Sequence, residues 1–176
     1  TGDGAGIITQ LPHWLFAKVV KELQAKPVGA GDLGVGVIFL PQDEGQRASA
    51  QRIVEETIAN GKLTLIGWRD VPVDPSVLGD KAAKTLPVIR HVLVARPASI
   101  AAEEYERHLF LVRRRIERAW EKDQLADCYI PSFSSRTIVY KGLLVAPQLS
   151  LFYRDLCDPD YTSAIAVFHQ RYSTNT

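Results

Sequence analysis

Three patterns in this 176-residue sequence predict an α+β fold. Short apolar runs bounded by glycine or proline read as strands, while longer stretches with apolar residues every three or four positions read as helices. The two kinds mix irregularly, without the strand–helix–strand beat of a parallel sheet. Strand-like runs close together near residues 127–145 suit antiparallel pairing. At least six strands and four helices are expected.

The elements follow in order. Thr1-Gly2-Asp3-Gly4-Ala5-Gly6 leads into the strand-like Ile7-Ile8-Thr9. Pro12 suits the first turn of a helix, and Phe16, Val19, Val20 and Leu23 share one face before Pro27 ends it. Gly34 to Leu40 is a buried strand. Asp43 to Asn60 is a helix with Ala50, Val54, Thr57 and Ile58 inward and Gly61 as its stop. Leu63 to Arg69 and Val88 to Ala95 are strands, separated by an irregular stretch with Pro72, Pro75 and Gly79. The longest helix is expected over Ile100 to Lys122, where Tyr105, Leu109, Val112, Ile116 and Trp120 form the apolar face. Arg113, Arg114, Glu117 and Arg118 form its solvated side. Cys128 to Ile130 and Arg136 to Tyr140 are strands, with Ser132, Ser134 and Ser135 read as the turn between them. Pro147 to Leu156 is a short helix, and Ala164 to Phe168 reads as a final buried strand.

Composition removes several function classes. Apolar content of 46% and a net charge of +1 fit one ordinary globular domain and argue against a general nucleic-acid binder. No apolar run approaches the ~20 residues of a membrane-spanning helix. Cys128 and Cys157 are too few for a disulfide framework and read as buried free thiols in a reducing compartment. His13, His91, His108 and His169 are scattered, with no metal-ligand spacing, so each reads as structural. Gly29-Ala30-Gly31-Asp32-Leu33-Gly34 matches a dinucleotide fingerprint in letters only, since a helix precedes it and a strand follows. The glycines at the start lack the Lys-Ser/Thr end of a phosphate loop, and a close backbone approach within a sheet suits them better. No G-x-S-x-G elbow is present.

The closing segment is the strongest chemical signal. Arg171 follows a strand and has Ser173 and Thr174 beside it. A guanidinium in that position can hold a carboxylate through two parallel hydrogen bonds, which hydroxyls and backbone amides complete. On physical grounds the ligand is anionic and not further defined.

The run Val167-Phe168-His169-Gln170-Arg171-Tyr172-Ser173-Thr174-Asn175-Thr176 resembles the H-x-R-[FY]-S-T-N-T segment of the glutamate synthase large subunits. Ser134-Ser135-Arg136-Thr137-Ile138-Val139-Tyr140-Lys141-Gly142 resembles that family's S-S-R-T-I-V-Y-K-G run, and Thr1 to Ile7 its T-G-D-G-A-G-I segment. Gly34 to Pro41 and Gly67 to Pro72 are similar too, so the matches run in order through the whole chain. The resemblance implies a class-II glutamine amidotransferase domain with the N-terminal-nucleophile hydrolase fold, an αββα sandwich of mostly antiparallel sheets. It implies hydrolysis of L-glutamine to glutamate and ammonia, which feeds reductive amination of 2-oxoglutarate elsewhere in the enzyme.

By that resemblance Arg171 holds the substrate α-carboxylate, Thr174 lines the same pocket, and Ser173 and His169 support the strand end. The family's nucleophile is an N-terminal cysteine, and an Asn-Gly pair supplies its oxyanion hole. Both are expected outside residues 1–176, which then form an internal piece of one domain, inactive alone. FMN and an iron–sulfur cluster are implied for the whole enzyme and none for this piece. The implied partners are L-glutamine, the remaining synthase domains and a small reductase subunit, in the cytoplasm or a plastid. Nucleic acid and membrane are not among them. The rival readings are a non-catalytic binding or regulatory module of the same fold and an unrelated nucleotide- or anion-binding protein.

Overall fold

Two antiparallel sheets face each other in the computed structural model, which describes residues 4–170. One has the order β6-β1-β7, from β1 (Ala5–Gln10), β6 (Thr137–Gly142) and β7 (Ala166–His169). The other has the order β3-β4-β2-β5, from β2 (Leu33–Leu40), β3 (Thr64–Asp70), β4 (Val88–Ala95) and β5 (Tyr129–Ser134). This is the α+β architecture expected from the sequence.

Alternation along the strands fixes the layers. Ala5, Ile138 and Tyr140 of the first sheet meet Val35, Val37 and Leu93 of the second in a shared core, which α1 (His13–Glu22) closes with Phe16, Val19 and Val20. The opposite face of the second sheet carries Ile38, Leu40, Val92 and Val94. It is covered by α2 (Glu44–Asn60) and α4 (Tyr105–Lys122), and α3 (Asp80–Lys84) and α5 (Leu149–Phe152) are single short helices elsewhere. The five apolar residues expected inward on α4 are all buried, and on its outer side Arg113 and Arg114 both pair with Glu117.

Local chemistry explains where the helices begin and end. The Asp43 side chain accepts a hydrogen bond from the Gln46 amide at 2.8 Å and so caps α2. Gly61 ends that helix, but with φ of −76° it supplies no left-handed turn; Lys62, at φ 58°, does that. Gly61 is needed for closeness instead, since a Cβ there would lie 2.7 Å from Val112 Cγ2 of α4. Helix α4 starts at Tyr105 rather than Ile100, because residues 102–104 form a 3₁₀ turn that leads into it.

Three expectations are corrected. First, β5 and β6 do not pair but belong to opposite sheets. Ser132 and Ser134 lie inside β5 and are buried, and side chains replace the ladder. Ser134 Oγ accepts from the Arg136 and Thr137 amides at 2.9 and 3.1 Å, and Ser132 Oγ accepts from Val139 at 3.1 Å. Glu106 of α4 then holds the crossover by accepting from Ser134 Oγ (2.9 Å), the Ser135 amide (2.5 Å) and Ser135 Oγ (2.7 Å). Second, the final strand is exposed rather than buried: Val167 and Phe168 are 62% and 67% accessible, because β7 is an edge strand of its sheet. Third, the irregular stretch at 70–85 contains a 3₁₀ turn at Pro75–Val77 and the helix α3.

Candidate functional site

Antiparallel pairing decides which chain segments meet. Because β1 runs against both neighbours, its start lies beside the ends of β6 and β7, with Gly6 opposite Lys141 on one side and His169 on the other. In the second sheet the end of β2 likewise meets the start of β5, where Phe39 pairs with Tyr129. Both sheets open at this shared end onto a cleft of about 1340 Å³. Gly4, Ala5, Lys141 and His169 line it from one sheet, Phe39 and Tyr129 from the other.

Lys141 spans the gap between the sheets. Its Nζ stands 5.0 Å from the centroid of the Tyr129 ring and donates to the Tyr129 hydroxyl at 3.4 Å. The Lys141 carbonyl accepts from Tyr153 Oη at 2.7 Å, and the Tyr153 ring, which also lines the cleft, packs on Tyr140 with centroids 4.8 Å apart.

Behind this wall lies a buried polar cluster that the sequence did not reveal. Arg69 of β3 grips Asp155 through two hydrogen bonds of 2.7 Å, and Tyr140 of β6 donates to the same carboxylate at 2.8 Å. Asp155 sits in a 3₁₀ turn after α5 and is 2% accessible. Burial pushes its carboxyl upward, but the Arg69 hydrogen bond and charge outweigh that and hold it below the usual carboxylate value. The only sequence signal was a carboxylate set within the apolar stretch Leu149 to Leu156.

His91 completes the cluster. Arg69 Nη1 donates to its Nδ1 at 3.3 Å, so the proton of the neutral ring sits on Nε2, which is buried without a partner among the described residues. Burial lowers the His91 pKa to about 3, with Asp155 opposing and Arg69 assisting. The folded chain therefore keeps His91 neutral over a range, from the ordinary 6.5 down to about 3, in which the unfolded chain takes up a proton. This contribution to stability is complete above that range and is lost as pH falls, by up to about 1.4 kcal/mol per pH unit. Replacing His91 with Phe is expected to flatten the fall in urea midpoint between neutral pH and pH 5; an unchanged slope would place the acid sensitivity elsewhere.

Of the residues singled out in the sequence, His169 ends β7 at the cleft. Arg171, Ser173 and Thr174 lie outside the described residues. Cys128 and Cys157 are not the buried thiols expected. Cys128 is half-buried at the cleft and Cys157 is exposed, each displaced from the core by its place at the edge of an element. Burial, and next the charge of Asp127, push the Cys128 thiol up to about 11, which disfavours the nucleophilic thiolate. The path into β7 is held by side chains: Tyr161 Oη lies 2.7 Å from Thr9 Oγ1, Ser163 Oγ accepts from the Gln10 amide at 3.0 Å, and the Ala164 amide donates to Gln10 Oε1 at 2.9 Å.

Comparison with known proteins adds the family. The family described as Glutamine amidotransferases class-II matches residues 1–176. Among similar proteins, ferredoxin-dependent glutamate synthase 2 of Synechocystis sp. is 45% identical over 177 aligned residues, covering 100% of this chain and 11% of the relative. The glutamate synthase [NADPH] large chain of Azospirillum brasilense is 41% identical over 100% of this chain and 12% of its own. The chloroplastic ferredoxin-dependent glutamate synthase of Spinacia oleracea is 40% identical over 100% and 11%. The chain thus spans 11 to 12% of the length of these relatives.

Proposed function

The chain belongs to the class-II glutamine amidotransferases, whose fold is that of the N-terminal-nucleophile hydrolases, and from this we propose that it binds L-glutamine in the cleft at the shared end of its two sheets. It does so as part of the amidotransferase domain of a glutamate synthase, and the complete domain releases ammonia that is used to aminate 2-oxoglutarate. The observation that carries the reading is the meeting of the start of β1 with the end of β7 at one cleft, two residues before Arg171.

In this reading Arg171 holds the α-carboxylate of glutamine, Thr174 lines the pocket beside it, and Ser173 and His169 support the strand end. The nucleophile is an N-terminal cysteine whose own α-amine takes the proton. Its thiolate attacks the side-chain amide, ammonia leaves, and water cleaves the thioester. Neither Cys128 nor Cys157 fits that role, since the nitrogen of each is tied up in a peptide bond.

The cofactors of a synthase do not fit the residues described. A cluster of iron and sulfur is held by cysteine thiolates, commonly four, and this chain has two cysteines. Among the described residues no three His, Cys, Asp or Glu converge on one point. Gly29 to Gly34 run from an irregular stretch into β2, which offers no helix N-terminus for the phosphate of FMN. In this reading both groups are held by other parts of the complete protein. No helix among the described residues is long and apolar enough to cross a membrane.

Ligand protection of the complete protein tests the proposal. Glutamine at a hundredfold excess over its Kd is expected to stabilise the domain by about 2.7 kcal/mol and to raise its melting temperature. ATP and NADPH should leave the unfolding step of this domain in place. No shift with glutamine, or an equal shift with ATP, would overturn the reading.

A further inference from the structure

We infer that residues 79–85 are a lid: hinged at Gly79, the short helix α3 closes onto the cleft over a bound ligand. The inference rests on the glutamine reading above. Strands β3 and β4 are antiparallel neighbours, paired as far as Asp70 and Arg90. About 2–5 residues suffice to join such a pair. Residues 71–87 join them here, and long connections of this kind are commonly lids or binding loops. The connection runs along the cleft, which Leu78, Ala82, Lys84, Thr85 and Leu86 line from this side.

It is fastened at both ends and loose between them. On the entry side the Asp74 amide donates to the Phe152 carbonyl at 2.9 Å, the Arg154 amide donates to the Pro72 carbonyl at 3.0 Å, and the Arg154 and Asp74 side chains pair. Gln148 Nε2 then donates to the Val77 carbonyl at 2.5 Å. On the exit side Gln42 Nε2 donates to the Leu86 carbonyl at 2.8 Å. Among the described residues, the hydrogen bonds of 79–85 stay within that segment or reach Leu86 beside it. Helix α3 has no buried residue. A segment with few buried contacts and no bond to the body of the fold opens and closes at low cost.

Gly79 supplies the hinge. Its φ of −76° and ψ of 158° suit any residue, and a Cβ there would meet nothing within 4 Å. It stands just before α3 and gives no side-chain cap, which a serine or aspartate would. Neither conformation, space nor capping calls for glycine in this arrangement; what glycine adds is freedom to leave it. The two sides of α3 also differ. Ala82 is half-buried and lines the cleft, whereas Asp80, Lys81 and Ala83 are exposed. Leu78 and Leu86, half-buried against the core, extend the apolar side that Ala82 presents. Closing on a ligand covers that side and shuts water out of the cleft.

The test uses the complete protein, with saturating L-glutamine as the probe. Amide hydrogen exchange of residues 80–85 is expected to slow about tenfold or more when glutamine is added. Ala82→Asp makes closure bury a charge, so the KM for glutamine is expected to rise about tenfold, while Ala83→Asp, the same charge on the outer side, keeps it within about twofold. Gly79→Pro suits the observed φ, and Leu78, at ψ 147°, accepts a following proline. That variant is expected to keep the parent's melting temperature yet lose about tenfold in kcat/KM, because the hinge is restricted. An equal KM in the two aspartate variants overturns the inference, as do parent kinetics in folded Gly79→Pro. Where Ala82→Asp or Gly79→Pro fails to fold, the exchange measurement decides alone. It also separates the two levels. Unchanged exchange at 80–85 while glutamine raises the melting temperature overturns the lid only. Unchanged exchange with no rise in melting temperature overturns the glutamine reading, and the lid with it.

Discussion

Arg171→Ala in the complete protein is expected to raise the KM for glutamine at least thirtyfold while leaving kcat within a few-fold. The size follows from the chemistry. Removing one partner of a buried, hydrogen-bonded charge pair costs about 2–5 kcal/mol, on the order of thirtyfold or more in binding, because the other charge stays desolvated and unpaired. The α-carboxylate is remote from the amide that reacts, so its grip is equally strong before and during the reaction. Loss of such uniform binding is read in KM rather than kcat. Arg171→Lys is expected to recover only part of the loss, since an ammonium cannot form the two parallel bonds of a guanidinium. Ammonia release measured across glutamine concentrations decides it: a KM within twofold of the parent protein would remove Arg171 from the site.

The sequence disclosed those parts of the fold that local pattern governs. Helix α4 was legible because five apolar residues repeat at steps of three and four, and all five are buried. Strand β4 was legible in its full extent, Val88–Ala95, because Pro87 and Pro97 flank a stretch rich in β-branched residues in which only Arg90 and His91 are polar. Tertiary choices were not legible. The β5–β6 connection looks like a hairpin, yet three serines and Glu106 supply bonds that carry the chain to the other sheet, and Glu106 is far away in sequence. Ala164 to Phe168 has the composition of a buried strand, but burial depends on what lies beside it, and β7 is at the sheet edge.

The site divides the same way. The carboxylate grip proposed for Arg171, Ser173 and Thr174 is read from a local motif alone, and those residues lie outside the described ones. The cleft is a product of strand order: residues 4–6, 141 and 169 meet only because β1 runs antiparallel between two partners. The Arg69–Asp155–Tyr140 cluster joins residues from three distant segments, and no spacing rule connects them.

Asp155→Ala is expected to cost about 3–5 kcal/mol of folding stability, the toll of leaving a buried charge without its partner. Three hydrogen bonds end on this carboxylate, two from Arg69 in one sheet and one from Tyr140 in the other. Truncation strands a guanidinium that is itself mostly shielded from water, and removes the link that ties the two sheets to the turn after α5. A domain of this size holds about 5–15 kcal/mol in total, so the variant should unfold at much lower urea. The burden lies in the unpaired charge rather than in the lost attraction, and this makes a sharper prediction. Replacing both partners, Arg69→Met with Asp155→Leu, should restore most of the midpoint, because no buried charge remains to be desolvated. If the double variant is as unstable as Asp155→Ala, the cluster acts through its geometry, by holding Tyr140 under Tyr153 at the cleft wall, and not through its charge balance. If Asp155→Ala shifts the midpoint by less than about 1 kcal/mol, the level of an exposed pair, the cluster is not buried enough in solution to matter.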